Sequence, residues 1–256
     1  MTTTRPPRLL VVTAVAAERD AVTAGLAAAG ASVATLAGAA TNPAAAGTVT
    51  GRTAGTGITA DVIAAGVGPA AAAAATATAL ARARAAGDPY GLVVSAGIGG
   101  GFAPDAPVGS VVVAETIVAA DLGAQTPGEP GGFTSVADLG FGTCEHRPPR
   151  EASRAVAGVL GAAYGPILTV STVTGTADRA AELAGRHPGA VAEAMEGFGV
   201  AAAAAADGVP VLEIRTVSNA VGPRDRAAWR IGEALAALTT AFGKLPAALE
   251  VDAGHG

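Results

Sequence analysis

Residues 193–219 read EAMEGFGVAAAAAADGVPVLEIRTVSN. The alanine run predicts a helix over residues 195–207, because alanine has the highest helix propensity and a side chain small enough to let a helix pack closely on a sheet. The β-branched and apolar run that follows predicts a strand over residues 209–217. A helix handed directly to a strand is the repeating unit of an α/β fold.

The same alternation recurs outward from this stretch. Strands are predicted over residues 9–13, 61–65, 92–95, 110–116 and 167–172, and helices over 17–29, 69–86, 150–161, 177–186 and 225–242. In the last helix, Asp225 is placed to cap the N-terminus and Trp229 to face the core. Residues 125–149 break the rhythm with two proline-rich and glycine-rich clusters and read as a long loop or lid. Residues 1–7 and 252–256 read as frayed tails. At 256 residues and 50% hydrophobic, with no stretch resembling a tether, the chain is expected to form one domain over residues 1–256.

Composition narrows the function classes. Only 14% of residues are charged, the net charge is -5, and Lys244 is the single lysine, so no basic stripe for a nucleic-acid backbone can be drawn. Cys144 is the single cysteine, which rules out an internal disulfide. His146, His187 and His255 are scattered, so no metal site is expected. The apolar run at Leu9, Leu10, Val11 and Val12 is too short for a membrane span or a secretory signal, and a cytoplasmic protein with no membrane partner is expected.

Several residues carry candidate chemistry. Glu18 stands just past the first strand, at the carboxyl end where open α/β sheets place ligands, although a glutamate in a first helical turn is also ordinary dipole chemistry. Gly66-Val67-Gly68-Pro69-Ala70-Ala71 fits a loose dinucleotide fingerprint with Asp88 as the distant carboxylate; a ligand-lining turn is the competing reading. Gly97-Ile98-Gly99-Gly100-Gly101 reads as a glycine turn after a strand, either strained or open to a ligand. Glu196 lies among Ala194, Met195, Gly197, Phe198 and Gly199, too apolar a setting to solvate a carboxylate, and Arg215 stands in an apolar strand. Such buried charges need a partner or a ligand, so a Glu196–Arg215 ion pair and a ligand site are both open. A Glu196 carboxylate and an Asn219 amide in one pocket would suit a nucleoside, which offers vicinal hydroxyls and a planar hydrogen-bonding edge.

Three segments in this order, residues 172–176, 193–199 and 218–225, make the chain similar to the purine nucleoside phosphorylase and nucleosidase superfamily, whose nucleosidase branch includes 5'-methylthioadenosine/S-adenosylhomocysteine nucleosidase. More narrowly they resemble the futalosine hydrolases of the menaquinone pathway. The resemblance covers nearly the whole chain. It implies a three-layer sandwich with a central mixed, partly barrel-like sheet flanked by helices, no cofactor, and a homo-oligomer. It further implies that Glu18 activates water with the help of Arg215, that Met195 and Glu196 bind the ribose, and that Ser218 and Asn219 face the purine. Val173, Thr174 and Gly175 would line the base, and Gly97, Ile98 and Gly99 would pass near the ribose and the water.

Two residues depart from the nucleosidase pattern. Ile98 stands where many nucleosidases carry a serine near the water. Asn219 stands where adenine-specific members carry aspartate, and an amide, unlike a carboxylate, does not repel the O6 of a 6-oxo purine. The expected reaction is therefore hydrolysis of the N-glycosidic bond of futalosine, releasing hypoxanthine. Phosphorolysis is the nearest rival, but only Arg19 is available near residues 14–19 to hold phosphate; a dehydrogenase module on residues 66–71 is the more distant one. Arg147, Arg150 or an arginine of a neighbouring subunit would meet the carboxylate of futalosine.

Overall fold

The computed structural model describes residues 8–36, 57–127 and 132–253. Among these, eleven strands and six helices follow one another as β1 (Arg8–Thr13), α1 (Ala16–Ala28), β2 (Ser32–Leu36), β3 (Thr59–Ala64), α2 (Pro69–Ala85), β4 (Leu92–Gly101), β5 (Val111–Ala119), β6 (Gly123–Gln125), β7 (Phe133–Ser135), β8 (Glu145–His146), α3 (Arg150–Leu160), β9 (Ala163–Thr169), α4 (Ala177–Arg186), β10 (Ala192–Ala194), α5 (Gly197–Ala206), β11 (Val211–Ala220) and α6 (Ile231–Ala253).

Strands β2, β3, β1, β4 and β11 lie side by side and parallel. Strand β5 joins β11 antiparallel, β9 runs parallel to β5, and β10 parallel to β9. The other edge of β10 then pairs antiparallel with β4. Five strands thus close into a small barrel, and β1, β3 and β2 continue from it as an open wing. The architecture is α/β with a mixed, partly closed sheet. Apolar residues cover both of its faces: Leu26 of α1, Val156 of α3 and Phe242 of α6 pack on one, Leu80 of α2 and Val200 of α5 on the other. A smaller cluster under α4 joins Leu183 to Leu168, Val170 and Phe102.

The closure explains the glycine run. The sequence predicts that the strand ends at Ser95 and yields to a glycine turn; instead β4 runs on to Gly101. Side chains there would block the seam, since a Cβ at Gly99 would stand 2.8 Å from the Glu193 carbonyl oxygen and one at Gly101 would overlap the Ala106 carbonyl. Glycine here permits close backbone approach within a strand rather than a bend.

The last helix also differs from expectation. Asp225 caps a 3-10 turn at Arg226–Ala228 by accepting from the Ala227 N–H, and Trp229 ends that turn, half-buried, instead of sitting on a core helix face. Helix α6 then runs past Phe242 and through Pro246 to Ala253. Proline forfeits one helical hydrogen bond, but Leu245 and Ala248 on either side are fully buried and hold the turn in place. Of the expected tails, residues 1–7 and 254–256 lie outside the described residues, whereas residues 252–253 belong to α6. The expected loop at 125–149 carries β7 and β8, with β7 paired to β6 and β8 to β5; residues 128–131 within it lie outside the described residues.

Candidate active site

Arg215 stands midway along β11, in register with Gly97 of β4 and hydrogen-bonded to Ser95 of β4. Arg215 is 1% exposed and each nitrogen of its guanidinium has a partner: Nε donates to Glu213 Oε1 at 2.9 Å, Nη1 to Glu196 Oε2 at 3.2 Å, and Nη2 to Ser95 Oγ at 2.9 Å. Burial opposes the charge, but the Glu213, Glu196 and Glu18 carboxylates outweigh it and hold the guanidinium more firmly protonated. Residues i and i+2 of a strand share a face, which is why Glu213 and Arg215 of β11 meet. Glu213 is fully buried, and burial pushes its carboxyl up against the pull of Arg215. Among the described residues its Oε2 has no hydrogen-bond partner. The chain accommodates it only because position 197 is glycine; a Cβ there would overlap both Glu213 oxygens.

Glu18 reaches the same cluster from α1. Its Oε2 accepts the Ala14 and Val15 N–H groups at 2.9 and 3.2 Å, closing the helix N-terminus, and its Oε1 accepts the Ile98 N–H at 2.9 Å. A Cβ at Gly97 would stand 2.6 Å from Glu18 Oε1 and 2.8 Å from Arg215 Nη1, so the carboxylate and the guanidinium face each other over that glycine. Glu196, 5% exposed, links Arg215 to the turn after β3 through the Gly68 N–H at 3.2 Å. Residues 66–68 therefore line this cluster. Asp88 pairs with Arg8 at the start of β1, the far end of that strand, so it does not complete a dinucleotide fingerprint.

Farther along β11 the register to β4 shifts between Val217 and Asn219. Such a bulge inserts one residue and re-aims its neighbours. Ser218, 2% exposed, places its Oγ 3.2 Å from the Gly99 carbonyl oxygen and 2.9 Å from Asn219 Oδ1. Asn219 Nδ2 donates to the Ala220 carbonyl at 3.0 Å. Facing this corner is Glu193, which accepts from the Thr174 N–H at 2.9 Å and the Thr174 hydroxyl at 2.6 Å. Among the described residues no group of three or more His, Cys, Asp or Glu side chains could hold a metal ion. None of the helices there is long and apolar enough to cross a membrane.

Residues 13–249 match the sequence profile of the Phosphorylase superfamily. Over 249 residues, 94% of this chain and 96% of the relative, the sequence is 62% identical to the futalosine hydrolase of Streptomyces coelicolor. It is 47% identical over 244 residues, 93% of this chain and 90% of the relative, to the futalosine hydrolase of Acidothermus cellulolyticus. The chain belongs to the futalosine hydrolase family. The fold of this futalosine hydrolase family member is shared with more distant proteins of known structure. The S-adenosylhomocysteine nucleosidase of Streptococcus pyogenes, solved with 5-methylthiotubericidin, superposes with a TM-score of 0.70 at 18% identity, covering 94% of this chain and 98% of that one. The methylthioadenosine/S-adenosylhomocysteine nucleosidase of Colwellia psychrerythraea, solved with adenine, gives 0.67 at 19% identity, covering 96% and 95%.

In this family member the structure gathers Glu18, Gly97, Ile98, Glu196 and Arg215 into one buried cluster, and Gly99, Thr174, Ser218 and Asn219 into the adjoining corner. Met195 is half-buried beside Glu196, Val173 is 42% exposed, and the Gly175 carbonyl accepts the Arg224 N–H. The two readings left open for Glu196 and Arg215 merge: the ion pair exists, and it sits inside the cluster. Arg147 pairs with Glu145 on the surface and Arg150 opens α3, exposed. Four members of the assembly escaped the sequence reading: Ser95, Glu213, Gly68 as a donor, and Glu193. A polar residue recurring every second position of an otherwise apolar strand, as Glu213 and Arg215 do, was the available signal for one of them.

Proposed function

We propose that the protein hydrolyses the N-glycosidic bond of futalosine, releasing hypoxanthine and dehypoxanthine futalosine. The names of the relatives favour this substrate. The observation that carries the chemistry is the placement of Glu18 against Arg215 in a buried pocket beside a Glu196 carboxylate and an Asn219 amide. Cleavage at C1' passes through an oxocarbenium-like state, so the site must hold the sugar, aim a water at it and stabilise the departing base. Among the described residues Glu18 Oε1 accepts a single hydrogen bond, which leaves one acceptor site for a proton of the attacking water. Three backbone N–H groups hold that carboxylate still, and Arg215 stands beside it to hold the water. Each Glu196 oxygen likewise keeps an acceptor site for a ribose hydroxyl. Asn219 would hydrogen-bond the purine as negative charge gathers on it.

Hydrolysis is preferred to phosphorolysis because Arg19, the one arginine near the turn after β1, gives both Nε and Nη2 to the exposed Asp20. The test is chromatography of a substrate panel comprising futalosine, aminodeoxyfutalosine, methylthioadenosine and inosine, each with and without phosphate. Hypoxanthine from futalosine, at a rate independent of phosphate, is the expected result. Phosphate-dependent release with a sugar 1-phosphate product would overturn the proposal.

A further inference from the structure

Strands β10, β4 and β11 align Glu193, Gly100 and Asn219 in one row, Glu193 opposite Gly100 and Gly100 opposite Asn219. Residues in register on adjacent strands put their side chains on one face of a sheet. Gly100 has none to offer. A Cβ there would lie 3.0 Å from Val221 Cγ2, 3.3 Å from Asn219 Nδ2 and 3.5 Å from Glu193 Cγ, so a carboxylate-bearing and an amide-bearing side chain flank a strip of backbone whose other neighbour is the apolar Val221.

Glu193 has a charge that its visible task does not need. It is 2% exposed, and among the described residues it makes no ion pair. Its two hydrogen bonds, both from Thr174, could be accepted by an uncharged side chain. Burial is the largest influence on its carboxyl and pushes it up, against the Thr174 hydrogen bonds and the attraction of Arg179. Among the described residues each oxygen retains one acceptor site, and nothing in the row donates to it.

Asn219 alone cannot tell a 6-oxo purine from a 6-amino one. An amide is both donor and acceptor, and a half-turn exchanges the two. Ser218 does not lock it, because its single hydroxyl hydrogen can go to Gly99 or to Asn219 and not to both. A carboxylate has no such freedom, being an acceptor only. A 6-oxo purine carries an N1–H donor beside O6; a 6-amino purine carries a lone pair at N1.

We propose that Glu193 selects 6-oxo over 6-amino purines by accepting the N1–H of the base across Gly100 from Asn219. The assignment rests on the nucleoside-hydrolase reading and names the residue that sets its base preference.

Two measurements test it separately from that reading. Binding of free hypoxanthine, 1-methylhypoxanthine and adenine is measured by calorimetry on the wild type, Glu193→Gln and Glu193→Ala. Cleavage of futalosine and of its 6-amino counterpart is followed on the same proteins. The wild type should prefer hypoxanthine to both other bases, and kcat/KM should favour the 6-oxo nucleoside by at least about 100-fold, the discrimination expected when a buried group is left unpaired. Glu193→Gln, whose amide can donate to N1, should bring the two nucleosides within about tenfold of each other. A Glu193 that merely ties down Thr174 would, when replaced, weaken all three bases alike. Uniform weakening, unchanged selectivity in Glu193→Gln, or wild-type affinity for 1-methylhypoxanthine equal to that for hypoxanthine would each overturn the assignment. If no nucleoside is cleaved, the hydrolase reading fails, while the free-base series still supports or overturns the role of Glu193.

Discussion

Replacing Gly97 with alanine would test the core of the site without removing any charged group. The added methyl would stand 2.6 Å from Glu18 Oε1 and 2.8 Å from Arg215 Nη1, whereas ordinary contact begins at 3.4 Å. Restoring that contact displaces the carboxylate by about 0.8 Å. Glu18 is tethered by three backbone N–H groups, so it cannot make this move and keep them all. Misplacing a reacting group by about 1 Å lowers the rate by about 100-fold, or about 2.7 kcal/mol of barrier. Because Gly97 adjoins Glu18, the proposed base, the loss should fall on kcat, with KM within about threefold of wild type. Steady-state kinetics with futalosine, alongside a melting curve, would read both. A thermodynamic cycle with Glu18→Gln sharpens the test: if the methyl acts through Glu18, Gly97→Ala in the Glu18→Gln background should cost no more than about a further twofold. A folded Gly97→Ala enzyme with near wild-type kcat would refute the placement of Glu18, and so would a double variant showing the full product of the two defects.

Arg215→Ala should destabilise the fold by about 3–5 kcal/mol, because it strands the buried Glu213 and Glu196 carboxylates. At about 2–4 °C per kcal/mol for a chain of this size, Tm should fall by roughly 10 °C, and a fall under about 3 °C would contradict the pairing. Gly197→Ala should lower Tm as well, since its methyl overlaps the Glu213 carboxylate; the additional substitution Glu213→Ala, which clears the overlap, should recover part of that loss, and no recovery would show the strain lies elsewhere. Glu193→Gln should change the pH profile of stability. The raised folded-state carboxyl of Glu193 keeps its proton at a pH where the unfolded chain, at about 4.3, has lost it, so wild-type stability is drained as pH rises from that value to the folded one. The Tm of Glu193→Gln relative to wild type should therefore increase from pH 4 to pH 7, and a difference flat with pH would refute the shift.

Much of the architecture was legible because helix and strand periods alternate plainly: the alanine runs at 69–86 and 195–207 became α2 and α5, and the apolar runs around them became β3, β4 and β11. What stayed hidden was hidden for physical reasons. Glycine ordinarily marks turns, so the extension of β4 to Gly101 could be understood only once β10 lay across it. Strand β10 itself, Ala192–Ala194, has no strand periodicity to detect and exists because both neighbours supply hydrogen bonds. Glu196 and Arg215 announced themselves as charges in apolar company, and Glu18 by its position after β1. Glu193 and Glu213 did not, because a glutamate next to alanine or leucine is unremarkable until its depth is known.

The seam at β10 has a mechanical consequence. Only three residues long, it is stitched to β9 on one side and β4 on the other, and it carries Glu193 while leading directly into Met195 and Glu196. On the proposed reading, the groups that grip the nucleoside therefore hang from the latch that keeps the barrel shut. A latch so short is expected to open more readily empty than filled, because a ligand held by it stabilises only the closed form. Amide exchange at residues 192–196 is therefore expected to slow when hypoxanthine binds, and an unchanged rate would refute the coupling.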